Sequence, residues 1–254
     1  MGEATNEKMN ITVCLTTHNG EAFLREQMDS ILAQLDREDE LVISDDHSVD
    51  KTLAILRAYN DPRIYILPSK EFGNPAQNFE YALQHTKNKI IFLADQDDIW
   101  HVCKIKTMIK YLQTADLVVC DCRLIDEHLN VIEPSYFRLN NAGSGLLKNL
   151  LKSSFMGCCM GFNRKVLEKA LPFPKNISMH DQWIGLIAQK YFKVKFIQQI
   201  LVDHRRHKKN YSTTGGPSKN SLEKKLVSRV QLAKKLLWHL WKKLPLRLWC
   251  IKLM

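Results

Sequence analysis

Three carboxylates within four positions, Asp95, Asp97 and Asp98, close the apolar run Ile90–Ala94. Acids packed this closely repel one another unless a cation neutralises them. The first and third positions of Asp95-Gln96-Asp97 lie on the same side of an extended chain, so both can face one site. Hard divalent cations such as Mn²⁺ or Mg²⁺ take oxygen ligands and bridge to substrate phosphates. The triplet is therefore read as a candidate metal and diphosphate site, with a solvated turn as the alternative. Two further polar clusters end apolar runs: Thr16–Asn19 after Met9–Leu15, and Asp45-Asp46 after Glu40–Ser44.

The elements that position these clusters follow from periodicity. Strand-like runs at Met9–Thr17, Glu40–Ser44, Arg63–Leu67, Lys89–Ala94 and Leu117–Cys120 alternate with helical patterns at Glu21–Leu35, Asp50–Tyr59, Ala76–His85 and Lys104–Gln113. Such alternation predicts an α/β fold, a mostly parallel sheet with helices on both faces. Ligands of such sheets sit beyond the carboxyl ends of the strands, where all three clusters fall. After Asp121 the pattern loosens. Leu124–Asn141 reads as an irregular or hairpin insertion, Gly145–Leu151 and Val166–Ala170 as short helices, and Ser154–Phe162 as a Gly-punctuated strand. A helix opens at Met179-His180-Asp181 and a strand follows near Val194–Ile200.

Bulk properties exclude several classes. An apolar content of 45% over 254 residues supports a full core. The seven cysteines contain no C-x-x-C pair, which argues for reduced, mostly buried thiols in a cytosolic protein and against a disulfide framework or zinc site. No secretory or myristoylation pattern opens the chain, and no spanning helix is expected. From Pro217 onward stand ten cations and one acid, so about nine of the ten net positive charges belong to the tail. The near-neutral body is not that of a general nucleic-acid binder.

The segments ITVCLTTHNGEAFLREQMDSIL, VISDDHSVDKTL, FGNPAQNFEYAL, IIFLADQDDIW, GCCMGFNRKVL, MHDQW and DHRRHKKNYS resemble, in order and spacing, the family 2 nucleotide-sugar glycosyltransferases of GT-A fold. The DQDDIW and HDQW forms are most similar to bacterial rhamnosyltransferase-like members. The resemblance implies a glycosyltransferase domain over residues 9–214, preceded by a disordered 1–8. It implies a nucleotide-sugar pocket of Thr16, His18, Glu21, Asp45, Asp46, Asn78, Asp95 and Gln96, with Arg205 or Arg206 on the phosphates. Asp95, Asp97 and His207 would hold Mn²⁺ or Mg²⁺, and Asp98 would support them or cap a helix. Asp181 would be the general base of an inverting transfer. Taken alone, Asp45-Asp46 and Asp181 could equally be helix caps, and Arg205–His207 a solvated basic run. Two positions depart from the common pattern: His18 replaces an aromatic, and His47 replaces a glycine, which predicts a turn that avoids positive φ. Trp100, Trp183 and Phe155 read as core, with an acceptor-sugar platform as the alternative for Trp183.

In the tail, Leu222, Leu226, Val230, Ala233, Leu237, Leu240, Trp241 and Leu244 share one helical face, with most Lys and Arg outside it. This predicts a segment, 215–254, lying on an anionic membrane surface, with docking on the catalytic domain or on a second copy as the alternative. The expected partners are thus a dTDP- or UDP-linked sugar, a lipid-linked glycan acceptor and the inner face of the cell membrane. No nucleic acid is expected, and homo-oligomerisation stays open. The rival readings are a sugar nucleotidyltransferase, which would want a Gly-rich basic loop near the N-terminus, a phosphatase with Asp95 as nucleophile, and a membrane-bound scaffold.

Overall fold

Every residue of the first strand, β1 (Ile11–Thr17), is buried, as its continuous apolar and β-branched run requires. The computed structural model describes residues 9–177, 179–208, 210 and 222–242. The expected disorder of 1–8 and the domain boundary at 214 fall outside them, as do 215–221 and 243–254 of the tail. After β1 come α1 (Leu24–Leu32), β2 (Glu40–Asp45), α2 (Thr52–Ala58), β3 (Ile64–Ile66), α3 (Pro75–Gln84) and β4 (Ile90–Asp95). Helix α1 buries Leu24, Met28 and Ile31, the three- and four-residue steps that its pattern predicts. Helix α3 begins on Asn74, whose side chain accepts from the Ala76 N–H, with Pro75 in the first turn.

β2 and β4 flank β1 in parallel, in a register that pairs Thr17 with Asp45 and Thr16 with Asp95. The three polar clusters therefore end level with one another on a single sheet edge. His47 corrects the sequence expectation, because its φ is +52°. The reason is local: the Asp45 carboxylate holds both the Ser48 N–H (2.9 Å) and the Ser48 hydroxyl (2.6 Å), which folds the intervening residue into the left-handed region.

The second half is mixed. It comprises β5 (Ile99–Trp100), α4 (Lys104–Leu112), β6 (Leu117–Ile125), β7 (Val131–Glu133), α5 (Tyr136–Asn140), α6 (Leu146–Leu151), a 3₁₀ turn at Gly157–Cys159, β8 (Met160–Asn163), α7 (Arg164–Ala170), α8 (His180–Tyr191) and β9 (Val194–Arg205). The sheet order is β3-β2-β1-β4-β8-β6-β9-β5, with β7 on β6 and β8 antiparallel between β4 and β6. The single strand expected over Ser154–Phe162 is shortened to β8. Upstream of it the backbone serves side chains instead of a ladder: Ser154 N–H donates to Asn149 (2.6 Å) and Gly157 N–H to Asp181 (3.2 Å). Strand β9 outruns its expected end at Ile200 and reaches Arg205 through register shifts against β6.

Helix α9 (Leu222–Lys242) packs on the domain. Leu236 and His239 are buried, and His239 Nε2–H donates to the Lys169 carbonyl (2.9 Å) with its ring edge-to-face on Trp183 (5.4 Å). The docked face is not the stripe marked out by the sequence, whose Val230 and Leu237 are 45% and 59% exposed. The side chains of Leu222, Leu226, Leu240 and Trp241, and all of Leu244, lie outside the described residues. Among the described residues no helix is long and apolar enough to cross a membrane. Trp100, Trp183 and Phe155 are core, and the Trp183 indole N–H is used by the Ala170 carbonyl, so it forms no open platform.

Candidate active site

The carboxyl ends of β1, β2 and β4 form one wall of a cavity of about 550 Å³, and the start of α8 with the Gly157 turn forms the opposite wall. Thr16, His18, Asp46, Asn78, Asp95 and Gln96 all line it, as do Asp97 and Asp181. Gln96 ties two loops together: its side-chain oxygen accepts from His18 N–H (2.8 Å) and its amide donates to the His18 carbonyl (2.9 Å). His18 Nδ1–H donates to the Asp46 carbonyl (2.5 Å). Asp46 uses one carboxylate oxygen on the N–H groups of Phe72 (2.6 Å) and Gly73 (3.1 Å), which fixes the entry to α3. Asn78 donates to the Thr17 carbonyl and accepts from Ser44 (2.5 Å), bracing two strand ends.

Four expected ligands stand elsewhere. Asp45 is wholly buried behind the wall, accepting hydroxyls from Thr17 (2.7 Å), Ser48 and Ser69 (3.1 Å). Glu21 accepts the Lys51 N–H (3.0 Å) away from the cavity lining. Arg205 is consumed internally. It donates to the Asp97 carbonyl (3.0 Å), pairs with Glu26 (2.5 Å) and lies over the Phe23 ring (4.5 Å). Arg206 is half-buried and likewise outside the lining.

Asp95 is electrostatically strained. Burial, followed by the charges of Asp98 and Asp97, pushes Asp95 well above the ordinary carboxylate range. A cation at this edge would relieve that strain. Asp97 meets His207, whose Nε2 lies 2.7 Å from Oδ2, and the same oxygen accepts from Asn210 (3.0 Å). Two carboxylates and an imidazole suit Mn²⁺, and the carboxylates alone suit Mg²⁺. Among the described residues, the three-residue group whose ligand atoms all lie within 4.8 Å is a different one, Asp98, Cys158 and His204. There, His204 Nδ1 lies 2.8 Å from Asp98 Oδ1, and both side chains are buried. We read it as a buried ion pair. Burial alone would push His204 down and Asp98 up; their mutual attraction and hydrogen bond outweigh this and move both the other way.

Asp181 sits in the first turn of α8 and is buried. Burial raises its carboxyl to about 6, against the opposing pull of the N–H groups of Gln182 and Gly157. A carboxylate poised there is ionised at neutral pH yet basic enough to accept a proton. Its neighbour His180 lines the same cavity, stacked on Phe79 at 3.8 Å, and burial depresses its ring to about 3.

Sequence reasoning missed several residues of the site. Asn210 could have been found three places after His207. The pairing of His204 with Asp98, and the presence of Tyr136, Ser153 and Gln182 in the wall, had no local signal.

The profile of "Glycosyl transferase family 2" matches residues 12–171. An uncharacterised glycosyltransferase of Rickettsia typhi is 26% identical over 78% of this chain, and the chain spans 64% of its length. The dTDP-rhamnosyl transferase RfbG of Shigella flexneri is 38% identical over 39% of the chain and 36% of its own length. The putative teichuronic acid biosynthesis glycosyltransferase TuaG of Bacillus subtilis is 27% identical, with 79% and 81% covered. Among solved structures, S. aureus TarS 1–349 in complex with UDP-GlcNAc superposes with a TM-score of 0.70 at 18% identity, over 90% of this chain and 67% of TarS. The mannosyltransferase PcManGT of Pyrobaculum calidifontis, in complex with GDP-Man and Mn²⁺, gives 0.63 at 21% identity, over 81% and 59%. The sheet is that of the GT-A glycosyltransferases, and the chain belongs to glycosyl transferase family 2.

Proposed function

We propose that the protein is a metal-dependent inverting glycosyltransferase that moves a sugar from a nucleoside diphosphate onto a lipid-linked glycan during bacterial surface polysaccharide synthesis. One observation carries the reading: Asp181, raised to about 6, faces the same cavity as the crowded acids Asp95 and Asp97. Asp181 takes the proton of the acceptor hydroxyl as that oxygen attacks the anomeric carbon. A single base opposite the leaving group supports inversion, and a diphosphate needs no proton from a side chain to depart. The strand ends at Thr16, His18 and Asp46 hold the nucleoside. Asp95, Asp97 and His207 would hold Mn²⁺ or Mg²⁺, which supplies charge neutralisation at the diphosphate.

The likeness to RfbG favours a dTDP-linked rhamnosyl donor, and the UDP complex of TarS keeps a UDP-sugar as the second choice. The exposed stripe of α9 with its surrounding cations supports peripheral attachment to the inner membrane face.

A panel of nucleotide sugars, read by thermal shift and nucleotide release with Mn²⁺ present, tests this. One donor class should raise the midpoint and be turned over, and chelation should abolish both effects. Stabilisation and turnover that persist in excess chelator would refute the metal role, and a panel without any response would refute the donor class.

A further inference from the structure

Beside the catalytic cleft, the outer faces of α5, α6 and α9 form a surface that is apolar and cationic at once. Leu139, Leu147 and Leu151 are 45%, 74% and 60% exposed, and Leu147 and Leu151 share one stripe of α6 at an i, i+4 step. Across a junction where the Arg229 guanidinium donates to the Leu151 carbonyl, α9 adds Val227, Val230 and Leu237, 49%, 45% and 59% exposed. Tyr136–Lys152 carries Arg138, Lys148 and Lys152 and no acid, while α9 carries six cations against Glu223. Leucines and valines set among lysines fit a bilayer interface bearing anionic head groups better than an ordinary protein partner, whose interface core would be depleted of charge.

The inner side of α6 reaches the chemistry. The Asn149 carbonyl accepts from Gln182, the residue after Asp181, and Ser153, just past the helix, lines the cavity. We infer that the α5–α6 and α9 faces together rest on an anionic lipid surface, which sets the Ser153–Gln182 mouth of the cleft at the head-group level. This orientation deepens the proposed function by fixing the side from which a lipid-linked acceptor enters. It rests on that reading for the acceptor alone.

The test uses the full chain in vesicle flotation, comparing pure phosphatidylcholine with vesicles containing about 30% phosphatidylglycerol. Wild type should float only with the anionic vesicles and detach in about 0.5 M salt. L147E/L151E on α6 and V230E/L237E on α9 should each weaken flotation at least about tenfold, while thermal midpoints and donor hydrolysis in solution stay unchanged. Flotation unaffected by L147E/L151E, or equal on neutral vesicles, would overturn the inference. If flotation depends on α6 yet no sugar is transferred, the surface stands and the functional reading falls.

Discussion

The two walls of the cleft are built differently. On the first, β1, β2 and β4 lie side by side in parallel, and strand register alone sets Thr16 beside Asp95 and Thr17 beside Asp45. On the second, Asp181 arrives on a helix and is held by the Gly157 turn, while His204 and His207 arrive on and beyond a strand that slips register twice to reach Asp98 and Asp97. The first wall is a consequence of topology and tolerates local change. The second depends on a few buried polar pairings, each costly to break.

The strongest break falls on Asp181, the proposed base. Asp181→Asn keeps the shape but cannot take a proton, so kcat should drop about 10³-fold with KM little changed. Its single amide oxygen retains only one of the N–H groups of Gln182 and Gly157, which meet different carboxylate oxygens. Wild-type kcat/KM should rise with pH to a plateau above about 6. The same carboxyl sets a stability signature of opposite sense. Its folded value lies above the unfolded 3.8, so its contribution is most favourable below that value and is lost as pH rises through about 6. The stability of the asparagine variant relative to wild type should therefore rise by up to about 3 kcal/mol between pH 3 and neutral pH, on top of a pH-independent cost of about 1 kcal/mol for the N–H partner it loses. An unshifted pH profile, or a stability difference between variant and wild type that does not change with pH, would contradict the poised base.

Next comes the buried pair behind Asp95 and Asp97. Asp98→Asn leaves the buried His204 without the counter-charge at its Nδ1, at a cost of about 3 kcal/mol in urea unfolding. An unchanged midpoint would argue against the buried ion pair. The smallest effect is expected on the first wall. Asp45→Asn should cost about 1–2 kcal/mol through weakened hydroxyl contacts and leave donor affinity unchanged. A tenfold loss of donor affinity at full stability would move Asp45 back among the ligands.

These contrasts match what the chain disclosed before folding. The βαβ alternation and the clusters at Thr16, Asp46 and Asp95 were legible because strand burial and helix period are local properties, and parallel topology then fixes where the ends meet. Asp45 and Asp46 looked alike in sequence. Only the fold separates them: successive strand residues point to opposite sides, turning Asp45 into the Thr17–Ser48–Ser69 cluster and leaving Asp46 on the cavity wall. Arg205 and His207 also read as one basic run, yet the first is folded inward against Glu26 and Phe23 and the second meets Asp97.

The tail shows the same division. Its periodicity predicted a helix, which α9 bears out over Leu222–Lys242, and its charge predicted a preference for anionic partners. Which apolar stripe docks depends on the surface offered by Trp183 and Lys169, which no local pattern encodes. The sequence by itself determined the family, the sheet and the chemistry of the residues at the edge, because these follow from local propensity and motif order. Tertiary structure alone decided which acid lines the cavity and which is a buried brace, because burial and partner distance set the charge each can hold.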